Sequence, residues 1–122
     1  MSKKNTTNNR SVISSVHWED LLNEFLLWKS AQGIAKRTLD DYTFHVNQFF
    51  SRFPDAWGDF PTLRKCLLAY LAELKAPATK NLRLTYLKAF FGWCVTEGYL
   101  PDNPAAGIKR AKDEGRIRHI SL

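Results

Sequence analysis

The sequence predicts an all-α domain, and three observations predict it. Apolar residues recur at three- and four-residue steps through most of the chain, while Gly33, Pro54, Pro61, Pro77 and Gly98 fall at the ends of those stretches. No sustained alternation and no Asn-Gly turn marks a hairpin. A length of 122 residues leaves room for one domain and one core, and 44% hydrophobic with 13% aromatic residues is the composition of a globule.

Residues 1–14 are polar and basic, with Asn5, Thr6, Thr7, Asn8 and Asn9 in succession, and are expected to form a disordered arm. Trp18, Leu21, Leu22, Phe25 and Trp28 then set a helical period over 16–32, with Ser14 or Ser15 as its cap and Gly33 as its stop. Thr38-Leu39-Asp40-Asp41 has the Thr-x-x-Asp form of an N-terminal capping motif. Leu39, Tyr42, Val46, Phe49, Phe50 and Phe53 share one arc of the helix that follows, which Pro54 ends. A loop over 54–60 carries Trp57 and Phe60, so it is expected to lie against the domain. Pro61 opens a third helix burying Leu63, Cys66, Leu67, Tyr70, Leu71 and Leu74.

The fourth helix runs from Pro77 to Glu97, with Gly98 as its stop. Its apolar residues, Leu82, Leu84, Tyr86, Leu87, Phe90, Phe91, Trp93, Cys94 and Val95, cover more than half its circumference, the mark of a central helix. A narrow polar stripe is left: Asn81, Thr85 and Lys88, at steps of four and three. Asn103-Pro104 caps one further short turn, and a basic, irregular tail follows. The expected architecture is four main helices plus a short one, with an arm over 1–14, a domain over 15–108 and a linker over 109–122.

Several kinds of chemistry lack their residues. Cys66 and Cys94 sit in apolar helical patterns and read as reduced core thiols. His17, His45 and His119 have no second ligand at a metal-binding spacing. There is no Gly-rich phosphate loop and no convincing Ser-His-Asp or Cys-His set, so neither a cofactor nor a metal is expected, and catalysis by this chain alone is not. No apolar run has membrane-spanning length and the polar N-terminus is no signal peptide, so the chain reads as cytoplasmic with no membrane partner. The formal charge of +6 favours a polyanionic partner, with plain solubility as the competing account.

Three strings narrow the reading. Thr79-Lys80-Asn81-Leu82-Arg83-Leu84-Thr85-Tyr86-Leu87-Lys88-Ala89-Phe90-Phe91 resembles a helix of the N-terminal core-binding domain of tyrosine recombinases, the phage integrase family. Glu97-Gly98-Tyr99-Leu100-Pro101-Asp102-Asn103-Pro104-Ala105 is similar to the exit from that helix, and Lys36-Arg37-Thr38 with Tyr42 and Phe49 is similar to the family's second helix. The likeness covers about residues 15 to 112. It implies a SAM-like orthogonal bundle of four to five helices that clamps duplex DNA through its second and fourth helices. A linker would lead into a separate catalytic domain bearing a tyrosine nucleophile. The chain ends at Leu122, where that linker should finish, so the expectation is a fragment: a non-catalytic DNA-binding piece, monomeric alone and tetrameric on DNA only as a full-length recombinase. A free-standing helical DNA-binding regulator and a helical protein-interaction module are the alternatives.

The resemblance places Lys36, Arg37, Thr38, Lys80, Asn81, Thr85, Lys88, Lys109, Arg110 and Lys112 toward DNA. Lysine and arginine neutralise phosphate, while Asn81 is expected to reach a base edge or the backbone. The stripe of Asn81, Thr85 and Lys88 is expected to be exposed, with an ordinary solvated face as its competing account. Two departures stand out. Leu82 occupies a place where the family often has a basic residue, and Asp40 and Asp41 bring negative charge to the second helix's entrance. Arg83, among apolar neighbours, is expected to make an internal ion pair, and Phe44 to stand half-buried at the surface.

Overall fold

The computed structural model describes residue 13, residues 15–73 and residues 76–111. It is all-α, in the order α1 (Trp18–Ala31), α2 (Lys36–Arg52), α3 (Phe60–Ala72) and α4 (Pro77–Thr96), with no strand among the described residues. The short element expected after Asn103 is a turn over 104–107, not a fifth helix.

The glycine stops behave as their chemistry requires. After α1, Gly33 takes φ +85°, Ile34 N–H donates to the Lys29 carbonyl at 3.2 Å and Gly33 N–H to that of Ser30 at 3.0 Å. After α4, Gly98 takes φ +85°, with Tyr99 N–H on the Cys94 carbonyl at 2.8 Å and Gly98 N–H on that of Val95 at 3.0 Å. Each is a Schellman closure, which needs a left-handed residue that only glycine supplies without steric cost.

The starts differ more from expectation. His17 precedes α1 and Ala35 precedes α2, and neither cap position has a capping side-chain hydrogen bond. Thr38 and Asp41 therefore do not cap: they lie inside the first two turns of a helix that begins at Lys36. Asp40 meets Lys36 Nζ at 3.2 Å, and Asp41 accepts from the Tyr86 hydroxyl at 3.3 Å. In α3, Asp59 accepts from Thr62 N–H at 2.9 Å and Pro61 occupies the first turn.

The core is aromatic and centred on α2 and α4, which form the most extensive helix–helix interface. Phe25 of α1 lies edge-on to Tyr42, Phe90 and Trp93 at centroid distances of 5.0, 5.5 and 5.6 Å. Phe49 and Phe50 of α2 face Phe91 of α4, and Trp18 stacks on Phe50 at 4.3 Å. Quadrupoles favour such edge and offset contacts over face-to-face stacking. Ile13, assigned from sequence to the polar arm, is buried in this core at 8% exposure. The loop before α3 folds inward as expected, with Trp57 Nε1 donating to the Val16 carbonyl at 2.9 Å. Arg52 of α2 grips Glu73, just past α3, through two bonds of 3.2 and 2.6 Å.

Candidate nucleic-acid interface

Polar side chains at 81, 85 and 88 lie one above another on α4 because steps of four and three nearly complete a helical turn. The structure lays the chain's own exit segment along this track. At the upper end, Asn103 donates from Nδ2 to the Lys88 carbonyl at 3.3 Å, while its Oδ1 accepts from Ala105 N–H at 2.9 Å. One turn down, Arg110 Nη1 donates to the Thr85 hydroxyl at 2.9 Å, and that hydroxyl donates to the Asn81 carbonyl at 2.9 Å. At the lower end the Asn81 side chain pairs with the backbone of Ala111: Nδ2 donates to its carbonyl at 2.9 Å and Oδ1 accepts its N–H at 2.6 Å.

Asn81 is therefore not the exposed side chain expected from sequence. It is buried, at 9% exposure, and its carboxamide acts as a surrogate strand edge for the exit segment. The physical reason is polar satisfaction: a buried carboxamide and the peptide group facing it each meet the other's donor and acceptor. Residues 109–111, assigned to a free linker, belong structurally to the domain surface. Arg64 of α3 secures the turn above by donating to the carbonyls of Pro104 at 2.6 Å and Ala106 at 3.1 Å. Nothing in the spacing of Arg64 pointed to that role.

Between α4 and the exit segment runs a groove of about 630 Å³, lined by Leu84, Thr85, Lys88, Ala89, Gly107, Ile108, Lys109 and Arg110. Its floor is apolar, its charge comes from three cations, and no carboxylate lines it among the described residues. Ile108 anchors the segment by packing on the core, and its N–H donates to the Ala105 carbonyl at 3.1 Å.

The remaining sequence-derived candidates are spread over the start of α2 and the start of α4. Lys36 and Arg37 are exposed and Thr38 is half-buried; Lys80 is half-buried at the first turn of α4. Lys112 lies outside the described residues. The start of α2 adjoins α4 through Tyr86, which meets Tyr42 edge-on at 5.0 Å and stacks on His45 at 4.6 Å. Lys36 spends part of its charge on Asp40. Arg83 makes no ion pair among the described residues: it donates to the Tyr70 hydroxyl at 3.0 Å with its guanidinium 5.3 Å from that ring's centroid. Phe44 and Leu82 are the exposed apolar groups of this region, at 55% and 49%.

Charge is unevenly distributed. The α1 surface presents Glu19, Asp20 and Glu24, whereas the exit groove presents Lys88, Lys109 and Arg110. Burial pushes the Cys66 and Cys94 thiols up from their usual pKa, which keeps both protonated near neutrality. His45 is held below the ordinary histidine value, first by burial and then by the nearby Arg83 charge. Its Nδ1 is buried, with no hydrogen-bond partner among the described residues. Among the described residues no group of three His, Cys, Asp or Glu side chains is arranged to hold a metal ion, and no helix is long and apolar enough to cross a membrane.

Fold and site together define an all-α bundle with a cationic groove between α4 and the segment over 107–110. No family model, curated protein or solved structure matches the chain.

Proposed function

We propose that this chain is a duplex-DNA-binding domain of the tyrosine-recombinase core-binding type, a SAM-like bundle that grips phosphates and leaves cleavage to a separate catalytic domain. The observation that carries the reading is the gathering of Lys88, Lys109 and Arg110 around one groove, with no acid among the described residues that line it. The three resembling strings support it: they fall on α2, on α4 and on the turn leading to that groove. In this reading Lys36 and Arg37 at the start of α2 and Lys80 on α4 add further phosphate contacts.

Fluorescence anisotropy with a labelled duplex across a salt series tests the reading. If about four to six phosphates are neutralised, log affinity against log salt falls with a slope near −4 to −5. An affinity indifferent to salt, or none at low salt, would reject it. The same reading expects no denaturant-resistant protein–DNA adduct on a nicked suicide duplex.

A second reading rests on Phe44 and Leu82. Exposed apolar groups of this size suit a protein partner, and Phe44 stands edge-on to His45, which stacks on Tyr86, one turn along α4 from Leu82. Binding of DNA that survives Phe44→Ser and Leu82→Ser separates that surface from the groove.

A further inference from the structure

Resting on the DNA-binding reading, we infer that Asn81 is a positioning residue: by pairing with the backbone of Ala111 it holds Lys109 and Arg110 beside Lys88, and so completes a composite phosphate-binding groove without touching DNA itself.

The exit segment is fixed at two points. Ile108 is held at one end by its apolar contacts and its bond to Ala105, and Ala111 is held at the other by two bonds to Asn81. Only Lys109 and Arg110 lie between these anchors, and both line the groove. With both ends tied, the conformational freedom that two long cationic side chains would otherwise lose on meeting DNA is already reduced along their backbone. Arg110 is further restrained by its bond to Thr85. Asn81 is the residue for this task because one carboxamide offers a donor and an acceptor side by side. These match the N–H and C=O of a single residue, a pairing that lysine, serine or alanine does not provide. Burial excludes the water that would otherwise compete for both bonds.

A base-reading residue and a positioning residue differ in how their loss combines with loss of the exit-segment cations. If Asn81 acts only through Lys109 and Arg110, removing it has no further effect once those cations are gone. Four proteins decide this on one random-sequence 20-base-pair duplex: wild type, Asn81→Ala, Lys109→Ala/Arg110→Ala, and the triple variant. Asn81→Ala is expected to weaken binding about fivefold or more in the wild-type background, the ordering cost of two released side chains. The triple variant is expected to bind as the double variant does. An equal loss in both backgrounds shows direct contact with DNA and overturns the inference, as does full affinity in Asn81→Ala.

Hydrogen exchange on the free protein separates the two levels of the argument. Ala111 amide exchange should accelerate strongly in Asn81→Ala while the α4 core amides stay protected. If wild type binds no duplex but the exchange behaves in this way, the functional reading fails and the positioning of the segment stands. Unchanged Ala111 exchange overturns the positioning itself. Should Asn81→Ala unfold, Thr85→Val replaces it, removing the acceptor of Arg110 with little change of shape. It is expected to weaken binding about twofold or more, and not at all when Arg110 is already alanine.

Discussion

The two faces of α4 are built from the same helix and held by opposite means. One face carries Leu84, Leu87, Phe90, Phe91 and Cys94, all buried among apolar neighbours from the other helices. The other carries Asn81, Thr85 and Lys88, and is met by an irregular segment through hydrogen bonds to backbone and side chain. The apolar face is held by dispersion and by the loss of hydrated area, which need close contact but no particular bond direction. The polar face depends on donor–acceptor geometry over few bonds, each contributing about 1 kcal/mol net. The first face fixes the fold. The second fixes where the chain leaves it, and it can open without the first.

The largest expected contrast lies in stability. Phe91→Ala, at a fully buried site between Phe49 and Phe50, should cost about 3–5 kcal/mol in urea denaturation. Asn81→Ala should cost under about 1 kcal/mol globally, because the exit segment can peel away and hydrate while the core stays closed. Equal costs for the two would mean that the exit segment is part of the cooperative core and would dissolve the distinction.

A smaller effect is expected at the seam where α2 meets α4. His45 is buried at 7% exposure and its pKa lies below the unfolded value, so the unfolded chain takes up the proton first as pH falls. Its contribution is fully present above about pH 6.5, the unfolded value, and is lost progressively as pH falls toward the lower folded one. The urea midpoint should begin to drop as pH falls below about 6.5, above the ordinary carboxylate range, and His45→Gln should flatten that part of the profile. A midpoint that rises on acidification would show that the folded state welcomes the proton, through Asp41 or another carboxylate.

The apolar face was legible because burial by area leaves a period of 3.6 residues that any reading of Leu84, Leu87, Phe91 and Cys94 detects. Gly33 and Gly98 were legible because a positive φ demands one residue type. The helix starts at His17 and Ala35 were not, since neither carries a capping side chain and a capping motif inside α2 offered a more attractive start. Asn81 was misjudged for a deeper reason: polarity on a helix wheel reports what a side chain can bond, not whether water or backbone does the bonding. Its partner, Ala111, lies thirty residues away with nothing in its own chemistry to announce the pairing. Arg83 misleads for the same reason: its partner is the Tyr70 hydroxyl and ring, where its position on the wheel suggests a carboxylate.

The central claim, that α4, the start of α2 and the exit segment together meet duplex DNA, is tested most directly by amide chemical-shift mapping during titration with a short duplex at low salt. The account predicts shifts gathered at residues 36–38, 80, 85, 88 and 107–110, with the acidic α1 surface around Glu19, Asp20 and Glu24 unmoved. Shifts centred on α1 or α3 with the groove silent, or no shift anywhere at saturating duplex, would contradict it.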